Sequence, residues 1–117
     1  MFTLQTILII LFFHWVADFK FQTHYQATNK SKNNLALALH VDTYCWTFLI
    51  PAVYMLGLNG IYWVALNGVL HFITDYVTSR INSKLWAKQD WHYFFEAVGA
   101  DQLFHYTCMF STYLLFV

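Results

Sequence analysis

Asn67-Gly68-Val69-Leu70-His71-Phe72-Ile73-Thr74-Asp75-Tyr76 sets an imidazole and a carboxylate four residues apart in an otherwise apolar run. On a helix that spacing turns about 400°, so both groups leave one face, one turn apart. The run Phe13-His14-Trp15-Val16-Ala17-Asp18-Phe19 copies it closely, and Asp101 with His105 gives it in reverse order. A fourth apolar run carries His40. Seven ionisable groups therefore stand inside four apolar stretches, and the reading turns on what they do there.

Composition sets the solvent. Of 117 residues, 59% are hydrophobic and 10% are charged, whereas soluble domains carry roughly 25% charged residues. Mean hydropathy is +0.44. The length suits one domain, and the composition suits a membrane. The formal net charge is zero, so no basic patch recommends a nucleic acid partner. Cys45 and Cys108 form no CxxC pair and read as buried structural thiols. The N-terminal run has no basic residue before Lys20 and no small-residue cleavage site after it, so it reads as a retained helix rather than a leader.

About 20 mostly apolar residues span a bilayer. Four stretches qualify, 2–22, 35–57, 60–80 and 96–117. The expected fold is an all-α four-helix transmembrane bundle made of two similar antiparallel hairpins. Pro51 should kink the second span, and Leu58-Asn59-Gly60 offers a tight turn into the third. Residues 23–34 read as a polar loop. Residues 81–95 mix Lys84 and Lys88 with Trp86, Trp91 and Tyr93, which suits a short interfacial helix. Every Lys and Arg (Lys20, Lys30, Lys32, Arg80, Lys84, Lys88) falls at or between the ends of spans one and two or three and four. The positive-inside rule then puts loops 23–34 and 81–95 in the cytoplasm and both termini outside it. Counted from the cytoplasmic ends at 1.5 Å per residue, Asp18, His40, Asp75 and Asp101 lie roughly 6–8 Å deep, and His14, His71 and His105 roughly 12–14 Å.

Ionisable groups in membrane helices cost several kcal/mol and so face partners or cavities. Three carboxylates together repel one another, and a divalent cation supplies the missing charge. Imidazole with carboxylate and no paired thiolate suits zinc first, with manganese or iron as alternatives. The expected ligands are His14, Asp18, His40, His71, Asp75, Asp101 and His105, holding one or two ions. Asp42 follows His40 by two residues and should turn about 200° away. Asn67, Gln22 and Ser79 extend the same polar stripe. Lys30, Asp90 and His92 read as solvated loop residues.

The series His14-Trp15-Val16-Ala17-Asp18-Phe19 with Gln22, then Lys30, His40, His71-Phe72 with Asp75-Tyr76, Ser79-Arg80, Asp90 with His92 and Phe94-Phe95, and Gly99 with Asp101-Gln102 and His105, resembles the DUF3307 family. These are small multi-pass membrane proteins of bacteria and their phages. The resemblance covers nearly the whole chain. It implies an integral membrane protein, of the bacterial inner membrane, and it carries no assigned activity.

Three functions compete. A buried ion that activates water would make a metal-dependent hydrolase of a lipid-like substrate, with Asp75 or Asp101 as general base. A metal-stapled or hydrogen-bonded interaction module of phage type is the alternative. An ion or proton transporter is third, since the outer halves of the spans are poor in ionisable groups. The partners expected are the bilayer, a lipid-like substrate and further copies in a homo-oligomer.

Overall fold

The structure, a computed structural model, describes residues 2–117. Helix α1 (Leu4–Trp15) runs on into a π-helical turn (Val16–Lys20). It is followed by α2 (His24–Asn29), α3 (Asn34–Leu56), α4 (Asn59–Ala87) and α5 (Trp91–Phe116). No strand occurs among the described residues.

Local chemistry sets the ends. Thr3 caps α1 by accepting from the Thr6 N–H. Thr23 and Gln26 form a reciprocal capping box that starts α2. Asn33 accepts from Leu35 N–H at the head of α3. The turn between α3 and α4 depends on Gly57, whose φ of +60° is one that L side chains rarely adopt. The helix starts again at Asn59, so the turn lies earlier than Leu58-Asn59-Gly60 suggested.

Two other expectations change. The loop at 23–34 contains helix α2. No separate interfacial helix follows the third span: α4 continues to Ala87, because Ile81–Ala87 holds no Gly or Pro to stop it. The turn into α5 is then only Lys88, Gln89 and Asp90, and Trp86 packs on Trp91 and Phe94 with ring centroids 5.0 and 5.2 Å apart. Pro51 lies within α3 without ending it.

The four long helices alternate in direction. Gln5 bonds to Tyr54 and Asn59 to the Phe116 carbonyl, so both termini and the α3–α4 turn share one end. The lysines and arginine lie toward the other. Helix α3 packs on α4 and α4 on α5, while Phe2, just before α1, and His14 of α1 meet Phe110 and Tyr106 of α5 and close the ring. The interior has two layers. Near the termini it is apolar, built on Ile10, Phe48, Trp63, Met109 and Tyr113. Trp63 and Asn67 both donate to the Thr112 hydroxyl and close this layer. Beyond it the core turns polar. Helix α3 is the one described helix that is by itself long and apolar enough to cross a membrane.

A Cβ on Gly60 would overlap the Ala52 carbonyl, whereas one on Gly99 meets nothing within 4 Å. Gly60→Ala should therefore cost about 1–3 kcal/mol. Gly99→Ala should be neutral or stabilise by up to about 1 kcal/mol. Thermal unfolding of the two variants side by side checks the pair.

Candidate metal centre

All seven residues singled out in the sequence are buried, and they meet in the polar layer. The helical spacing works as read: His71 Nε2 lies 3.3 Å from Asp75 Oδ2, and His14 Nε2 lies 3.4 Å from Asp18 Oδ2. The π turn sits at Asp18, and such turns recur at functional sites. The two hairpins match across the bundle, with His40 2.9 Å from Asp18 and His105 3.0 Å from Asp75.

One donor atom from each of Asp18, His40, His71 and Asp75 lies within 4.8 Å of the other three. The separations between these atoms are close to uniform. His40 Nε2 stands 3.1 Å from His71 Nε2, 2.9 Å from Asp18 Oδ1 and 3.4 Å from Asp75 Oδ2. His71 Nε2 stands 3.3 Å from each of the same carboxylate oxygens. A tetrahedral ion with bonds of about 2.0–2.1 Å needs donor separations of about 3.3–3.4 Å. Five of the six edges therefore fit a divalent ion with little movement.

Proton bookkeeping favours the same conclusion. If His40 Nε2–H donates to His71 Nε2, the bare lone pair of His71 faces two carboxylate oxygens. If both nitrogens are protonated, His40 donates to Asp18 Oδ1 at 2.9 Å and His71 to Asp75 Oδ2 at 3.3 Å, and the two donor nitrogens are left crowded 3.1 Å apart. A cation between the nitrogens would relieve either arrangement. One feature departs from the usual pattern. Metal-bound histidines normally donate their other N–H, yet His40 Nδ1 and His71 Nδ1 are buried without a partner.

The remaining residues take other places. Asp101 and His105 form a second donor group with Asp18. His105 stacks on His71 with centroids 4.0 Å apart. His14 belongs to neither donor group: Gln102 Oε1 holds its Nε2 at 2.7 Å, and its Nδ1 is 3.2 Å from the Tyr44 hydroxyl. His14 Nε2 also lies 3.4 Å from Asp18 Oδ2, beside the donor groups. Asp42 is exposed, as its offset from His40 implied.

Sequence reasoning placed Lys30 in solvent, and this is corrected. Lys30 Nζ reaches Asp75 Oδ2 at 2.9 Å with its side chain 18% exposed. Burial alone would lower its pKa, but the carboxylates of Asp75, Asp18 and Asp101 outweigh that and hold it above the ordinary lysine range. His92, by contrast, is exposed and lies beside Glu96. Gln102 and Thr78 were missed as site residues. Gln102 Nε2 donates to Asp18 and Asp101, each at 3.1 Å, and the Thr78 hydroxyl donates to Asp101. The Asp-Gln dipeptide at 101–102 was the available signal. Asn67 serves helix packing and lies outside the cluster.

The family model described as "Protein of unknown function (DUF3307)" matches residues 6–117. The chain belongs to the DUF3307 family. No curated protein and no solved structure matches this DUF3307 chain. Its buried His/Asp cluster is compatible with a metal site, and that compatibility rests on the distances above.

Gln102→Leu removes the bonds to His14, Asp18 and Asp101 together. It should lower stability by about 1–3 kcal/mol, read as a fall in the unfolding midpoint.

Proposed function

We propose that this DUF3307 chain is an integral membrane protein whose His/Asp cluster holds a divalent ion, zinc in the first instance, and acts as a metal-dependent hydrolase. The membrane reading draws on an inverted surface. Large apolar side chains face outward on every long helix, among them Phe12, Ile50, Ile73 and Leu103, while His and Asp fill the interior. Helix α1, 12 residues before its π turn, is too short by itself, and α4 and α5 have their hydropathy lowered by inward His and Asp residues while their outer faces remain apolar. The principal axis of 44 Å exceeds a hydrocarbon core of about 30 Å. The gathering of Lys and Arg at one end supports an orientation with that end, and the proposed metal centre, toward the cytoplasm.

The observation that carries the metal reading is the opposition of His40 Nε2 and His71 Nε2 at 3.1 Å between Asp18 and Asp75. The hydrolytic reading adds a cavity of about 600 Å³ lined by Asp18, Asp75 and Asp101. Asp75 Oδ2 is shared with Lys30, so it is the weakest of the four donors, and its side of the tetrahedron faces the cavity. His40, His71 and Asp18 then form a three-ligand set with one position for water, the arrangement of catalytic rather than structural zinc. A divalent ion held by His40, His71 and Asp18 would supply the Lewis acidity that lowers the pKa of a water. Asp75, with Asp101 as the alternative, takes the water proton. The water oxygen bonds to the electrophilic centre, the bond to the leaving oxygen breaks, and the proton passes to that oxygen.

A purely structural staple is the second reading, favoured by the closeness of all four donors. Metal removal separates the two, since chelation unfolds a stapled bundle and leaves a catalytic one folded.

Elemental analysis of purified protein should find one to two divalent ions per chain, lost in His40→Ala and His71→Ala and kept in Asp75→Asn. Hydrolysis of a chromogenic phosphomonoester in micelles should fall about 100-fold or more in Asp75→Asn. Wild-type protein that binds no added zinc, manganese or iron would refute the proposal.

A further inference from the structure

We infer that the centre takes a second divalent ion, between Asp18, Asp101 and His105, with the Asp18 carboxylate bridging the two ions. This rests on the ion proposed above at His40 and His71 and makes the site dinuclear. Asp18 belongs to both donor groups, and one donor atom from each of Asp18, Asp101 and His105 lies within 4.8 Å of the other two. The two oxygens of Asp18 face different neighbours. Oδ1 stands 2.9 Å from His40 Nε2 and 3.3 Å from His71 Nε2, while Oδ2 accepts from Gln102 Nε2 at 3.1 Å. A carboxylate divided in this way can bind one ion through each oxygen, and paired hydrolytic ions stand about 3.5–4 Å apart.

The second group is short of hydrogens. His105 Nε2 faces two carboxylate oxygens, Asp75 Oδ1 at 3.0 Å and Asp101 Oδ2 at 3.3 Å, and has at most one hydrogen for both. Asp101 turns its other oxygen to the Thr78 hydroxyl, the kind of outer bond that ligating carboxylates carry. Gln102 Nε2 gives one hydrogen to Asp18 Oδ2 and the other to Asp101 Oδ2, each at 3.1 Å. The amide thus joins the two carboxylates that the ion would join. Gln102 lines the cavity of about 600 Å³ together with Asp18 and Asp101, so the amide has room to turn aside and the ion has a route in. With Asp101 bound to the second ion, Asp75 is left as the base. Two divalent ions with Lys30 outweigh the three carboxylates, and the excess charge draws a hydroxide or an anionic substrate group into the cavity.

Zinc titration of the purified protein in detergent, read as zinc retained per chain after gel filtration, tests it. Wild-type protein should hold two ions. Asp101→Asn and His105→Gln should each hold one, and either variant keeps the test intact if the other does not fold. Thr78→Val should weaken only the second ion, by about tenfold. Asp18→Asn should weaken both ions by about tenfold or more, since Asp18 serves both sites. His92→Ala should keep both; loss of an ion there would move the second site to the exposed His92–Glu96 pair and overturn the assignment. One ion in the wild type, or two ions retained in both Asp101→Asn and His105→Gln, overturns the second site and leaves the first standing. Weakening of a single ion in Asp18→Asn overturns the bridge. Protein that takes up no zinc fails at the first centre, which the elemental analysis reports separately.

Discussion

Two imidazole nitrogens, His40 Nε2 and His71 Nε2, face each other at 3.1 Å between two carboxylates. Protonation of both nitrogens gives each a carboxylate acceptor and leaves the two donors 3.1 Å apart. Burial makes the conflict severe, because neither nitrogen can turn to water and a low dielectric magnifies each unmatched charge. A cation at the centre of the four donors would turn that crowding into coordination. The helices around it can be understood as the frame that holds these donors at ligand spacing.

The frame has consequences for the whole chain. A polar cluster at the core of so small a bundle displaces apolar side chains outward, and the exposed Phe, Leu, Ile and Trp residues follow from it. The interior beyond the cluster is closed by apolar packing and by the bonds of Trp63 and Asn67 to Thr112. Access is therefore from the Lys-rich end, where the cavity opens and Lys30 meets Asp75. Lys30 joins the short α2 segment to the chemistry, which gives that connection a role beyond linking two helices.

Much of this was legible because helical periodicity is a strong rule. The i,i+4 spacing of His14/Asp18, His71/Asp75 and Asp101/His105 brought each pair onto one face, and common depth brought the pairs together. Alternating chain direction followed from short connections. What escaped depends on events between elements. The reach of Lys30 from a polar loop into Asp75 is a tertiary contact that local composition does not encode. The π turn at Asp18 replaces a regular turn, and Val16–Lys20 holds no Gly or Pro to mark it. Helix α4 outran its apolar segment because helix propensity does not stop where hydropathy does. His14 has the same spacing as His71, and the contact of its Nε2 with Gln102, one turn before Tyr106 on α5, is one that spacing does not encode.

X-ray absorption at the metal edge of the purified, metal-loaded protein tests the central claim most directly. The account requires a shell of nitrogen and oxygen at about 2.0–2.1 Å with the outer scattering of imidazole and no sulfur shell at about 2.3 Å. An ion surrounded by water oxygens alone, or by sulfur from Cys45 or Cys108, would contradict it.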